Sequence, residues 1–146
     1  MAKMTKKIDV VAPPDRIYGT LNDPNAMPLF VPAVTNVSNV QKTDKRVGDT
    51  FRATYGLMGM HFDLTFTDTE NAPAKRIARR FEGAMKGSLA YTLEPHGNST
   101  QVKFDVDYTM SGGVLGKAMD KLLVERMNEK NAERMLENLK MMMETR

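Results

Sequence analysis

Few residues in this sequence could carry out chemistry. His61 and Asp63 lie two positions apart in an alternating segment, so they share one face of a strand and could bind a metal or act as a base and its orienting partner. Two ligands are too few for a metal site, and Thr65 and Thr67 continue the same polar face. The chain has no cysteine. We therefore expect no metal and no cofactor, and we assign no catalytic residue.

Arg79 is the charged residue whose position is unusual. It is in phase with Ile77 and Phe81, so strand alternation would direct its guanidinium group to the apolar face. A buried, unpaired charge is costly, so Arg79 would need a carboxylate, a tyrosine hydroxyl or the anionic group of a ligand. The alternative, a shift in register or a bulge that turns Arg79 outward, remains open.

Three tyrosines occupy the predicted apolar face. Tyr55, Tyr91 and Tyr108 each fall in phase with the apolar residues of their strands. A buried tyrosine hydroxyl usually has a hydrogen-bond partner, and in a cavity it can orient a ligand carbonyl. The hydroxyls could equally bond to backbone carbonyls in a filled core, so both interpretations stand.

These residues belong to a predicted antiparallel sheet. Residues 34–110 alternate between apolar and polar types with a period of two, which is typical of strands with one buried face. Short connections pair consecutive strands as hairpins, so we predict a six-stranded meander preceded by one further strand. The predicted strands are residues 5–12, 34–41, 50–56, 60–68, 74–82, 88–94 and 101–110, with two short helices near 15–22 and 25–30.

A long helix is predicted after the last strand. Residues 113–144 contain no proline, and their apolar residues recur at three- and four-residue spacing. Residues 128–131 contain no apolar side chain, so we expect the buried stripe to be interrupted there for about one turn. The predicted stripe consists of Leu115, Ala118, Met119, Leu122, Leu123, Met127, Ala132, Met135, Leu136, Leu139, Met142 and Met143.

Three connections should fall at one end of the sheet, because alternate turns of a meander share an end. They are residues 56–60, 83–87 and 111–116, each framed by glycines with apolar side chains between them. Two interpretations remain open: these tips pack on the helices and close the core, or they surround the mouth of a cavity. On the second interpretation the entrance consists of Leu57, Met58, Met85, Val114 and Leu115.

Composition narrows the class of protein. A chain of 146 residues is expected to form one domain, and a net charge of +3 with interleaved acids predicts no nucleic-acid surface. No apolar run approaches the roughly 18 residues needed to span a membrane, and the first residues show no signal-peptide pattern. We expect a cytoplasmic monomer or homodimer without integral membrane association.

The order of elements and several local phrases resemble the START-like superfamily, also called SRPBCC or Bet v 1-like. The similarity is greatest to its polyketide cyclase/dehydrase and lipid-transport group. The phrases are IDVVAPPDRIY (8–18), PLFVPAV (28–34), VGD (47–49), TQV (100–102) and GVLG (113–116). The resemblance implies an α+β helix-grip fold: a seven-stranded curved antiparallel sheet around a long C-terminal helix, with two short helices between strands 1 and 2.

The resemblance also implies an apolar cavity between sheet and helix, with loops 56–60 and 83–87 as gate and latch. We therefore expect binding or transport of a hydrophobic small molecule or lipid. The alternatives are a polyketide cyclase or aromatase, and a protein-interaction module with a vestigial cavity. On the first hypothesis the ligand-binding residues are Tyr55, Phe62, Leu64, Arg79, Tyr91, Phe104, Tyr108, Met110, Met119 and Leu122.

Overall fold

A computed structural model describes residues 2–57, 59–110 and 121–145. Its strands are β1 (Ala2–Val10), β2 (Val34–Gln41), β3 (Thr50–Leu57), β4 (Met60–Ala72), β5 (Arg76–Gly83), β6 (Met85–His96) and β7 (Ser99–Met110). Its helices are α1 (Pro14–Asn22), α2 (Met27–Phe30) and α3 (Lys121–Glu144), and a single 3₁₀ turn (Pro24–Ala26) leads into α2.

The strands form one antiparallel sheet in the order β1-β7-β6-β5-β4-β3-β2. Each meander strand therefore pairs with its neighbour in sequence, as the alternation predicted, and the structure adds β1 beside β7. The fold class is confirmed within the described residues: a seven-stranded sheet, a long C-terminal helix and two short helices between β1 and β2. The inner face of the sheet carries the core.

Two glycines near the connection between β5 and β6 lie very close to the backbones of neighbouring strands. Gly83 has a φ of +144°, and a Cβ atom there would lie 2.5 Å from the carbonyl oxygen of Asp63 on β4. A Cβ atom on Gly87 would lie 2.0 Å from the carbonyl oxygen of Asp107 on β7. Only glycine permits such close approach of neighbouring backbones, so a side chain at either position would force the strands apart.

The connection between β5 and β6 differs from our expectation. We predicted a loop at residues 83–87 with Met85 at its tip, but β6 begins at Met85, which pairs with Met110 at the end of β7. Only Ala84 separates the two strands. Met85 and Leu57 are both buried. Met85 therefore lies within the sheet, where ladder pairing continues further than the turn residues suggested.

Helix α3 packs along the inner face with a buried stripe that differs in phase from the predicted one. Val124 and Asn128 are buried and continue the line of Ala132 and Leu139, whereas Leu122 is 54% exposed. Leu122 is two positions from Val124, which is about 200° around a helix. The predicted interruption at 128–131 is thus wrong in part, because Asn128 lies on the buried face and has hydrogen-bond partners there.

Polar contacts fasten α3 to β1. Lys6 Nζ lies 2.8 Å from Glu129 Oε1 and 2.9 Å from Glu133 Oε2. Further along the helix, Lys140 Nζ donates to the carbonyl oxygen of Asp9 at 2.9 Å. The Glu144 carboxylate accepts the backbone N–H of Val11 at 2.8 Å. The first strand and the last helix are therefore joined along most of their shared length.

Candidate functional site

A cavity of about 100 Å³ lies between the inner face of the sheet and α3. Most of its wall is apolar, with contributions from the sheet, α2 and α3. The lining residues are Met4, Met27, Val31, Val34, Tyr55, Leu64, Phe66, Phe81, Met85, Leu89, Tyr91, Phe104, Val106, Tyr108, Asn128, Asn131, Ala132 and Met135. The cavity is several times larger than the space one water molecule needs.

A cluster of four polar side chains forms one side of this cavity. The Tyr55 hydroxyl on β3 donates to Asn128 Oδ1 at 2.5 Å and accepts from Asn131 Nδ2 at 3.0 Å. Asn128 Nδ2 donates to the Tyr108 hydroxyl on β7 at 2.8 Å. We call Tyr55, Tyr108, Asn128 and Asn131 the Tyr–Asn cluster. It joins two distant strands to one turn of α3, so the polar groups are held in place inside an apolar wall.

Tyr91 adds a third hydroxyl to the cavity. It is buried on β6, and its hydroxyl donates to the sulfur of Met135 at 3.3 Å, although a thioether is a weak acceptor. Burial raises the pKa of Tyr55 and of Tyr91 to about 12. These hydroxyls are therefore neutral hydrogen-bond donors and acceptors at pH 7.

The pKa of Tyr108 is also raised. Burial is the largest cause, and the nearby carboxylates of Glu125 and Glu129 add to it, while the hydrogen bond from Asn128 opposes it. Tyr108 also lines a second hollow of about 230 Å³, whose wall includes Ala2, Met110 and Val124. The Tyr108 side chain thus lies between the two spaces.

Arg79 points to the inner face, as the alternation predicted, but it forms part of a buried ion pair. Its Nε lies 2.7 Å from Asp68 Oδ1, and its Nη2 donates to the carbonyl oxygen of Leu21 at 3.0 Å. The guanidinium carbon lies 5.1 Å from the centre of the Phe51 ring. The partner is a carboxylate from β4, and Arg79 is absent from the described lining of the cavity.

The structure brings together about half of the predicted ligand-binding residues. Tyr55, Leu64, Tyr91, Phe104 and Tyr108 line the cavity, together with Met85 from the predicted entrance. Met110 lines the second hollow instead. Phe62 is half-buried and Leu57 is buried, but neither lines the cavity, and Leu122 faces outward. Met58, Val114, Leu115 and Met119 lie outside the described residues.

Sequence reasoning missed Asn128 and Asn131 as site residues. The signal was present, because these two asparagines interrupt the apolar stripe of the predicted helix. A buried amide needs partners, and the three tyrosines on the inner face were the available ones. Met4 and Met27 were also missed, because nothing in the spacing of β1 or α2 places them near the helix.

Neither a metal site nor a membrane span is found in the part of the chain that the structure describes. Across residues 2–57, 59–110 and 121–145, no three metal-ligating side chains come together. Within the same ranges, none of the helices is both long and apolar enough to cross a bilayer.

The family is decided by sequence comparison. Residues 1–144 match the family model described as polyketide cyclase / dehydrase and lipid transport. The chain belongs to this family. Among curated proteins, none matches the chain in sequence.

Solved structures similar to this member of the family share its fold at low sequence identity. A START superfamily protein from Mycobacterium smegmatis is 16% identical, with a TM-score of 0.82 over 98% of this chain and 97% of that one. The protein TTHA0849 from Thermus thermophilus is 20% identical, with a TM-score of 0.78 over 95% and 94%. The Zhui aromatase/cyclase from Streptomyces sp. R1128 is 17% identical, with a TM-score of 0.73 over 94% and 90%.

Proposed function

We propose that this protein binds or transports a hydrophobic small molecule or lipid in the cavity between the sheet and α3. The observation that carries the proposal is the combination of an apolar wall with the Tyr–Asn cluster inside it. Apolar burial would supply most of the affinity, and the few fixed polar groups would orient the ligand. Membership of the family and the START superfamily protein among its structural neighbours support this proposal.

The size of the cavity limits what can bind without rearrangement. An apolar cavity of about 150 Å³ in another protein binds benzene, whereas this one measures about 100 Å³. A larger ligand must displace side chains, and Met4, Met27, Met85 and Met135 are the lining residues best able to adapt. We therefore expect binding to change the positions of these methionines.

Cyclase or aromatase activity is the alternative, supported by the aromatase/cyclase with the same fold. Such a reaction needs an acid or base with a pKa near neutrality that reaches the substrate. The tyrosines described in the cavity have raised pKa values and Arg79 is paired with Asp68. These properties favour a binding protein over an acid–base catalyst.

Native mass spectrometry of the purified protein tests the proposal. We expect an additional mass that is released under denaturing conditions. Replacing Ala132, which lines the cavity on α3, by leucine should fill the space and abolish the additional mass. Arg134→Leu, which adds the same side chain two positions later on the exposed face, is the matched control and should retain it.

Two outcomes would refute the proposal. The first is an additional mass that Ala132→Leu retains in full, because the ligand would then lie elsewhere. The second is the absence of any bound mass combined with no response of the cavity residues when the protein is titrated with ethylbenzene. In that case the space beneath α3 would be an unused gap in the core.

A further inference from the structure

Among the residues that the structure describes, the Tyr–Asn cluster contains one hydroxyl proton for which no acceptor is found. Tyr55 is satisfied, because its hydroxyl both donates to Asn128 and accepts from Asn131. The Tyr108 oxygen accepts from Asn128 Nδ2, but no acceptor for its own proton is found among the described residues. Tyr108 is only 5% exposed. A buried O–H group without an acceptor is unfavourable, so a ligand oxygen at this point would complete its hydrogen bonding.

A second hydroxyl in the cavity has only a weak acceptor. Tyr91 donates to the thioether sulfur of Met135, and a ligand oxygen would be a stronger acceptor than sulfur. Tyr91 and Tyr108 lie on the neighbouring strands β6 and β7. The donors of the cavity therefore exceed its strong acceptors, which favours a ligand that brings acceptor atoms.

The charges around the cavity oppose an anionic ligand. The described lining contains no basic side chain. Lys6 is paired with carboxylates of α3 and Arg79 with Asp68. Lys121 lines the second hollow on the other side of Tyr108, together with Glu125, and does not line this cavity. The negative charges of Glu125 and Glu129 contribute to the raised pKa of Tyr108. The same charges would repel a ligand carboxylate placed beside the Tyr108 hydroxyl. Burying a further unpaired negative charge here would be costly.

We infer that the ligand is uncharged and presents a carbonyl oxygen, such as that of a ketone or quinone, to the Tyr108 hydroxyl. This inference rests on the proposed function and specifies the chemistry of the group that enters the Tyr–Asn cluster. Fatty acids and other carboxylates would satisfy the hydrogen bond, but the apolar wall and the nearby carboxylates disfavour burying their charge in this cavity.

Three probes of nearly equal shape test this inference: acetophenone with a carbonyl, ethylbenzene without an acceptor, and benzoate with a charge. Each is titrated into the full chain at pH 7 while amide shifts of β3, β7 and α3 are followed by NMR. The carbonyl loses hydration on entering the cavity, so the absolute ratio of ketone to ethylbenzene affinity carries little information. The informative quantity is the change of that ratio between variants.

Tyr108→Phe removes the donor and should lower the ratio of acetophenone affinity to ethylbenzene affinity by about two- to ten-fold. Tyr18→Phe is the matched control, because the Tyr18 hydroxyl donates to Asn71 and does not line the cavity. It should leave the ratio as in the wild-type protein. In the wild-type protein, benzoate should cause no cavity shifts at the concentration that saturates acetophenone.

A ratio unaffected by Tyr108→Phe, with both neutral probes bound, would overturn this inference and leave the proposed function standing. Benzoate binding as tightly as acetophenone to the wild-type protein would do the same without any substitution. If none of the probes shifts the cavity amides, the inference is refuted, whereas the proposed function is refuted only if native mass spectrometry also finds no bound mass.

Discussion

Replacing Asp68 by alanine should destabilise the protein strongly, because it leaves a buried guanidinium group without its carboxylate. The Arg79 side chain is 2% exposed and that of Asp68 is 6% exposed, and their charged atoms lie 2.7 Å apart. Loss of one partner of such a pair costs about 3–5 kcal/mol of unfolding free energy. In a chain of this size, 1 kcal/mol corresponds to roughly 2–4 °C in Tm, so we expect Tm to fall by about 10 °C.

The double variant Asp68→Leu/Arg79→Met distinguishes the cost of an unpaired charge from the cost of lost packing. It removes both charges and keeps apolar volume, so it should be more stable than Asp68→Ala or Arg79→Met alone. Some loss should remain, since the Leu21 carbonyl and the Phe51 ring lose their contacts with Arg79. Unfolding free energies come from urea denaturation of all four proteins at pH 7.

Two results would contradict this reasoning. Single variants that each lose less than about 1 kcal/mol would show that solvent reaches the pair, against its burial in the structure. A double variant that is less stable than both single variants would show that the loss does not come from an unpaired charge. Ethylbenzene binding should persist in Arg79→Met, since Arg79 lies outside the cavity lining.

Other features give further expected outcomes. Gly87→Ala should lower the free energy of unfolding by about 1–3 kcal/mol, because the added Cβ would clash with the backbone of β7. Gly19→Ala, in open space on α1, should raise the free energy of unfolding by about 0.5–1 kcal/mol. Thermal denaturation measures both changes. The hydrogen bond from Lys6 lowers the pKa of Glu129. This ion pair therefore stabilises the folded protein above pH 4.5, and the stabilisation is lost as the pH falls through the lowered pKa of Glu129. Glu129→Gln should therefore reduce Tm at pH 7, with a difference that shrinks at acidic pH. Burial raises the pKa of Tyr91 to about 12, so the buried hydroxyl is neutral and compatible with the folded state below pH 10. The folded state loses stability as the pH rises from 10 to 12, because the unfolded chain ionises this tyrosine first. Tyr91→Phe should remove one late transition from the absorbance titration at 295 nm.

Most of the fold could be predicted because local signals agreed with one another. Period-two alternation identified the strands, and short connections allowed only a meander. The errors lay at element ends, where pairing with a neighbouring strand decides the boundary. Met85 was predicted in a turn because of the glycines around it, yet pairing with Met110 extends β6 to that residue.

The candidate site could be predicted only in part, because its composition depends on which surfaces meet. Alternation was enough to place three tyrosines on the inner face. The buried face of α3 was harder to predict. The apolar spacing placed Leu122 on that face, whereas the hydrogen bonds to Tyr55 and Tyr108 place Asn128 there instead. Asp68 is a second example. Its phase with Leu64 and Phe66 places it on the inner face, but its pairing with Arg79 follows only from the register of β4 against β5.

The contacts that β1 makes with β7 and α3 have a consequence for folding during synthesis. β1 precedes the other strands of the sheet in the chain, yet Ala2 pairs with Tyr108 and Lys6 contacts Glu133. Its pairing edge therefore stays unpaired until β7 has been synthesised, and its contacts with the helix wait for α3. Contacts so distant in sequence are slow to form, because the intervening chain must first be ordered. An exposed strand edge can pair with another chain during that interval, and β1 is then protected mainly by its lysines.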